Sequence, residues 1–283
     1  MKKIYAFTEN PEKTDPVTHS SGENCTEARY NRGMIDLMTL EAYCNNLLCV
    51  EAFDDYCPNG VQVEASREVR KLMGGVTASQ ALIEAAEAWG ADALLVHHGY
   101  FWKGEAAALR GVKGQRVGGL FRHGISLLAY HLPLDAHPVH GNNRQLAERL
   151  GFAGAEATQA AGGLLWQAEL ESPISSQQLG LRIEGALDRP PLHIPARREP
   201  LRQVGWCTGA AQSYIEQAAE LGLDAFISGE ISEHTVHLAR ELDIHYFSAG
   251  HHATERYGVV SLGQHLAEQF NLEWCFMDLD NPV

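Results

Sequence analysis

The run Leu94-Leu95-Val96 ends abruptly in His97-His98-Gly99, which is how a buried strand looks when it delivers side chains to a site at its C-terminal end. Two later stretches carry matching chemistry. His131-Leu132-Pro133-Leu134-Asp135 places a carboxylate after another apolar run, and Gly250-His251-His252-Ala253-Thr254-Glu255 places a histidine and a glutamate four apart. If a helix begins after Gly250, His251 and Glu255 share one face and can grip one ion. Neighbouring side chains on a strand point to opposite faces. His97 and His98 therefore cannot both chelate one ion while the backbone stays extended. Either Gly99 turns the chain and reorients them, or each serves a different ion. The second option, which the pleat favours, leads to a dinuclear site. Glu255 has two oxygens and could bridge ions ~3.5–4 Å apart, the geometry of two-metal hydrolytic sites. Mixed imidazole and carboxylate ligands suit iron, zinc, manganese, cobalt or nickel.

Other residues near these stretches have two readings each. His131, His252 and Glu230 are candidate proton shuttles. A structural hydrogen bond would serve the two histidines as well, and a helix-cap role with Ser228 or Ser232 would serve Glu230. Tyr100, Phe101 and Trp102 could stack a base, but a hydrophobic plug or subunit contact is simpler. Lys103 and Arg256 could meet phosphate. His137 and His140 flank Pro138 in a loop expected to be solvated. Gly141-Asn142-Asn143 reads as a turn and helix cap. Neither a Walker-type phosphate loop nor a G-x-S-x-G elbow occurs.

The chain of 283 residues is long enough for one large or two ordinary domains. A net charge of −14, from 22 basic and 36 acidic residues, argues against general affinity for nucleic acid or an anionic membrane. A nucleotide held locally by metal remains compatible with it. None of the six cysteines forms a C-x-x-C pair, and free cysteines in a chain of this size suit a reducing cytosol. The basic start, Met1-Lys2-Lys3, lacks the sustained apolar run of a signal peptide, and no run reaches membrane-span length.

Positioning these residues requires strands that end together. Val69–Val76 reads as a strand, Gln80–Trp89 as a helix capped by Thr77-Ala78-Ser79 and closed by Gly90, and Ala91–Val96 as a strand buried on both faces. Such an order with short links is a parallel βαβ unit. Residues 202–230 repeat residues 70–98 without gaps at an offset of 132, with matches that include Arg70/Arg202, Glu84/Glu216, Gly90/Gly222 and Asp92/Asp224. Further strands are expected at Val61–Val63, Ile125–Tyr130, Leu164–Leu170, Leu192–Ile194 and Ile244–Ala249. Further helices are expected from Thr39, at 112–123, at Asn142–Leu150 and at Ser175–Leu187. The fold class is thus α/β, with two similar halves: residues 34–150 carry His97, His98 and Asp135, and residues 151–283 end in a segment that returns His251 and Glu255 to the site. Residues 1–33 are polar and turn-rich, and read as a disordered extension or as a start assigned too early, with Met34 the alternative. In open α/β sheets, ligands bind beyond the carboxyl ends of the strands, where all the clusters named above lie.

The motifs Asn59-Gly60-Val61-Gln62-Val63, Gly75-Val76-Thr77-Ala78-Ser79, His97-His98-Gly99 through Trp102-Lys103-Gly104, His131-Leu132-Pro133-Leu134-Asp135, Gly141-Asn142-Asn143 and Gly250-His251-His252-Ala253-Thr254-Glu255 together resemble the Nif-three-like dinuclear-metal family. Its members are often labelled GTP cyclohydrolase I type 2 homologues, and the resemblance is closest to the bacterial YbgI branch. It implies a two-part α/β protomer, a ring-shaped homohexamer, and two divalent cations held by His97, His98, Asp135, His251 and a bridging Glu255. It also implies hydrolysis: two cations would acidify a shared water, and the label points to opening of the guanine ring of GTP with loss of formate. A non-catalytic protein that stores, transfers or senses metal is the alternative.

Overall fold

The two copies of the repeat fold alike down to single hydrogen bonds. The Asp92 carboxylate accepts from the backbone N–H groups of Arg70 and Lys71, both at 2.9 Å. The Asp224 carboxylate does the same for Arg202 and Gln203, at 2.7 and 2.9 Å. In each copy a left-handed glycine, Gly90 or Gly222, closes the helix and turns the chain into the next strand. The matched aspartates thus fasten the start of one strand to the start of its neighbour. The computed structural model describes residues 3–5 and 33–283.

Each copy sits at the centre of a six-stranded sheet. The first has the order Lys3–Tyr5, Glu273–Asp278, Lys71–Thr77, Ala93–His98, Ser126–Ala129, Gly60–Val63. Its four middle strands are parallel and its two edges antiparallel. The second has the order Leu192–Ile194, His245–Ser248, Ala225–Ser228, Leu201–Cys207, Trp166–Ile174, Glu156–Ala157, with a parallel core of three. Leu94, Leu95 and Val96 are wholly buried, as expected for a strand covered on both faces. Among the described residues no helix is long and apolar enough to cross a membrane.

The expected helices form at Leu37–Leu47, Gln80–Trp89, Gly111–His123, Asn142–Leu150 and Ser176–Leu187. The first starts ahead of Thr39 because the Asp36 side chain caps it, accepting from the N–H groups of Met38 and Thr39. Pro133 does more than stop a strand. It lies in the first turn of a short helix, Leu132–Ala136, which carries Asp135. Residues 3–5, read as part of an unstructured extension, pair antiparallel with Phe276–Asp278. The rest of that reading falls outside the described residues.

The ending of the chain differs from a simple second half. The helix His251–Phe270 starts at the second sheet and runs onto the first. Ala253 and Tyr257 join the core of the second half, while Val259, Leu262 and Leu266 join that of the first. The strand Glu273–Asp278 then inserts beside Lys71–Thr77. Gly74 and Gly263 leave room for Trp274 between sheet and helix, where any Cβ would collide with the indole. One long helix thus ties the halves together, and its first turn lies at their junction.

Candidate metal centre

The backbone stays extended through His98, yet the His97 and His98 rings do not diverge as a regular pleat would have them: their centroids lie 4.5 Å apart. Both reach Glu255. His97 Nε2 lies 3.6 Å from Glu255 Oε1 and 3.4 Å from Asp135 Oδ1. His98 Nε2 lies 3.1 Å from Glu255 Oε2, and His251 Nε2 lies 2.9 Å from that same oxygen. The five residues therefore form two groups that share one carboxylate: His97, Asp135 and Glu255, and His98, His251 and Glu255. The helical turn after Gly250 brings His251 and Glu255 together, four apart on one face. A Cβ on Gly209 would collide with the Glu255 carboxylate, so the loop after Leu201–Cys207 can approach only with glycine there.

The far nitrogen of each of these histidines is already committed. His97 Nδ1 donates to the Tyr130 carbonyl at 2.8 Å, and His251 Nδ1 donates to the Glu230 carboxylate at 2.7 Å. His98 Nδ1 is 3.1 Å from the Thr77 hydroxyl. A carbonyl or carboxylate can only accept, so in His97 and His251 Nδ1 carries a proton, and Nε2 is the nitrogen turned to the shared glutamate, open to a cation once its own proton is displaced. Asp135 is fixed by Asn142, whose side-chain amide donates at 2.8 Å, and by the Thr208 hydroxyl at 3.3 Å. Yet His97 Nε2 is buried without a well-aligned hydrogen bond, and the buried Glu255 Oε2 meets only the Nε2 atoms of His98 and His251, neither in good hydrogen-bond alignment. Buried polar atoms are normally satisfied. Two such atoms at the centre of a nitrogen and oxygen donor set fit divalent cations, with the ligands oriented from behind as metal-binding histidines generally are.

Electrostatics point the same way. Burial alone would lower the His97 imidazole, but Asp135 and Glu255 outweigh it and hold it at about 9. For His251 the same opposition, with Glu255 and then Glu230 prevailing over burial, also gives about 9. His98 is pushed down to about 4 by burial and by the charge of His97 and His251, which Glu255 only partly offsets. Burial would raise Glu255, but His97 and His98 hold it well below the usual carboxylate range. Asp135 is raised, chiefly by burial. Without cations, protons must do the work of neutralising these carboxylates.

His131 lies at the rim. Its Nδ1 donates to Asp55 at 2.9 Å, and Asp55 is further held by the Leu132 N–H and the Asn59 amide, both at 2.9 Å. One nitrogen of His131 lies within 4.8 Å of nitrogens of His97 and His98. With Nδ1 on Asp55, His131 lines the cleft through the rest of its ring. Burial would raise the Asp55 carboxyl, but its hydrogen bonds to His131 and Asn59 draw it down to about 2. That cleft holds about 430 Å³ between the halves, with His98, His131, Asp135, His251 and Glu255 in its walls.

At several residues the structure chooses between the expected readings or corrects them. Glu230 caps no helix; its carboxylate orients His251. His252 turns to Asp278 at 3.0 Å, and Arg256 binds the same aspartate and the Leu187 carbonyl, so the guanidinium is not waiting for phosphate. His137 and His140 are half-buried rather than solvated, stacked with ring centroids 5.2 Å apart. Gly141 is the N-cap residue, whereas Asn142 and Asn143 are fully buried and hold Asp135 by side chain and carbonyl. Tyr100 is the expected plug, its hydroxyl bonded to the Ala78 carbonyl, but Trp102 opens into the cleft. Sequence reasoning missed Asp55, Thr77, Asn142 and Thr208 as supports. Asp55 had a visible signal, a carboxylate in the turn just before Pro58-Asn59-Gly60.

The family model described as Duf34/NIF3 (NGG1p interacting factor 3) matches residues 35–282. The chain belongs to the Duf34/NIF3 family. Two similar proteins, each named "GTP cyclohydrolase 1 type 2 homolog", come from Allochromatium vinosum and Vibrio cholerae. They are 53% and 54% identical over 89% and 87% of this chain and 100% and 99% of their own length. Among solved structures, protein ybgI, described as of unknown function, superposes with a TM-score of 0.84 at 46% identity, covering 88% of this chain and all of its own. TTHA1606 from Thermus thermophilus gives 0.79 at 31% identity over 88% of this chain and all of its own. The two-sheet architecture is thus that of the NIF3 structures, and the expected kinship with the YbgI branch holds.

Proposed function

We propose that the protein holds two divalent cations and acts as a metal-dependent hydrolase on a nucleotide, as the name of its relatives suggests. His97, Asp135 and Glu255 would hold one cation, and His98, His251 and Glu255 the other, with Glu255 shared. The observation that carries this reading is the arrangement of three imidazoles, each with Nδ1 engaged and Nε2 turned to one buried carboxylate. Iron, zinc, manganese, cobalt and nickel all suit such ligands. A bound pair of cations supplies Lewis acidity, activating water and polarising the attacked bond.

The remaining work falls to the chain itself. Asp55 holds His131 in one tautomer and steadies the imidazolium that forms when Nε2 takes a proton from the attacking water or gives one to the leaving atom. Glu230 keeps His251 aimed at the site, and Asn142 and Thr208 keep Asp135 there. The walls of the cleft limit solvent around the reacting atoms. A cytoplasmic, ring-shaped homohexamer is part of the same proposal, and sedimentation of the purified protein tests the assembly.

The decisive experiment measures metal content, then turnover of GTP and other nucleotides by the metal-loaded protein, with formate followed for ring opening. Near two metal equivalents and a metal-dependent product are expected, and His97→Ala should abolish turnover. Absence of any metal-dependent product across the panel would overturn the hydrolase reading.

A further inference from the structure

The cleft above the metal centre has a wall that the hydrolytic chemistry does not use. Tyr56 and Trp102 stand side by side there, ring centroids 6.0 Å apart, and both lie against His131, at 5.1 and 5.0 Å. Trp102 is also 6.0 Å from His98. On the other side, Tyr214, Leu164 and Ala211 of the second half face the same space. Tyr56 is half exposed, although its neighbours Asp55 and Cys57 are largely covered. A cleft of about 430 Å³ falls within the ~300–1,000 Å³ of pockets that take small organic ligands.

The chain invests in presenting this wall. Phe101 has a φ of 64°, a backbone conformation that a bulky side chain rarely adopts. Two bonds hold it there: the Glu105 carboxylate accepts from the N–H groups of Phe101 at 2.9 Å and Trp102 at 3.3 Å. Lys113 secures Glu105 at 3.4 Å and bonds the Ala106 carbonyl. The next residue, Lys103, donates its N–H to the Tyr56 carbonyl at 2.7 Å, so the two loops that carry the aromatic rings are fastened to each other. Strained backbone persists where surrounding structure over-determines it, and it concentrates at ligand clamps. A simple plug would not need it, since Tyr100 already fills that role with its ring buried.

We infer that Trp102 and Tyr56 form a stacking subsite for a flat heteroaromatic ring, placing the substrate's ring over the two-cation centre, with Glu105 positioning Trp102. This rests on the hydrolase reading for its purpose, but it is a statement about binding. Aromatic faces stack any base without reading its edges, so the subsite supplies affinity for the ring, and the metal centre selects the bond to be broken.

The test uses the full chain loaded with manganese and three probes: guanosine monophosphate, guanosine and ribose 5-phosphate. The first carries ring and phosphate, the second lacks the phosphate and the third lacks the ring. Equilibrium dialysis should show the two ring-bearing probes bound at least tenfold more tightly than ribose 5-phosphate. Trp102→Ala should weaken the ring-bearing probes by roughly tenfold and leave ribose 5-phosphate unchanged, as expected for loss of one stacked face. Trp102→Phe should keep most of the affinity, and Glu105→Gln should fall between the two. Manganese content is measured for every variant, and Tyr56→Ala carries the test if Trp102→Ala loses metal. Equal binding of ring-bearing and ring-free probes, no detectable binding of the ring-bearing pair, or an unchanged preference in a metal-replete Trp102→Ala protein would overturn the inference. Failure of the hydrolase reading looks different: the ring-bearing probes bind, yet no nucleotide is turned over.

Discussion

Glu230→Gln tests whether the proposed two cation positions can be told apart. Glu230 touches neither the shared carboxylate nor His97, but its Oε1 lies 2.7 Å from His251 Nδ1. Replacing the carboxylate by an amide keeps the shape and removes the charge that makes the imidazole a stronger donor. Loss of such a supporting partner generally costs 10–100-fold in metal affinity, about 1.4–2.8 kcal/mol. The Glu230 side chain is 34% exposed, so water screens part of its effect, and the expected loss is near the lower end, about tenfold. On the proposed assignment, only a cation at His98, His251 and Glu255 should bind more weakly.

Proton competition adds a pH dependence of known sign. The same carboxylate that favours metal on His251 also favours a proton, and in the metal-free protein Glu255 and Glu230 outweigh burial to hold this imidazole at about 9. Below that pH a cation must displace a proton, and Glu230→Gln weakens the proton too, which offsets part of the loss. Above it only the metal term remains. Competition with a calibrated chelator, resolved into two equivalents, should therefore show a larger loss at pH 9.5 than at pH 6.5. Equal weakening of both equivalents, or no change in either at the higher pH, would refute the assignment of Glu230 to one position.

Two further perturbations address stability. Asp55→Asn should cost about 2 kcal/mol at pH 7, since the carboxyl is drawn from about 3.8 to about 2 by its partners. A depressed carboxylate stabilises above its unfolded pKa and loses that contribution as pH falls through its folded value, so urea denaturation should show the gap closing between pH 4 and 2. Asp92→Ala and Asp224→Ala each remove an acceptor of two backbone hydrogen bonds. Each should cost about 1–2 kcal/mol, and a cost in only one half, measured by the same method, would show that the paired aspartates are not equivalent anchors.

Much of the fold can be read directly from the sequence. Burial periodicity, capping residues and the 132-residue offset are local or self-similar signals, and they place the two βαβ units, their turns and the strand that ends in His97-His98. The five residues of the candidate metal centre were legible for the same reason, because each follows an apolar run or lies one helical turn from its partner. The pleat predicts that the two histidines leave on opposite faces; the strand does stay extended to His98, but the two rings converge, with centroids 4.5 Å apart.

What the sequence left open depends on contacts across long separations. Asp55 meets His131 across 76 residues, Asn142 supports Gly258 across 116, and Thr208 reaches Asp135 across 73. No periodicity marks such pairs, since each is fixed only when separate elements pack. The return of Glu273–Asp278 to the first sheet is of the same kind: an apolar strand can pair with any open edge, and the long helix before it, bridging both cores, decides which. Sequence alone thus determined which residues could hold metal. Tertiary structure decided which oxygen of Glu255 each histidine faces, which residues steady them, and that Trp102 looks into the cleft while Tyr100 is buried beneath it. The physical reason is that ligand type is a property of one side chain, whereas orientation is a property of everything packed behind it.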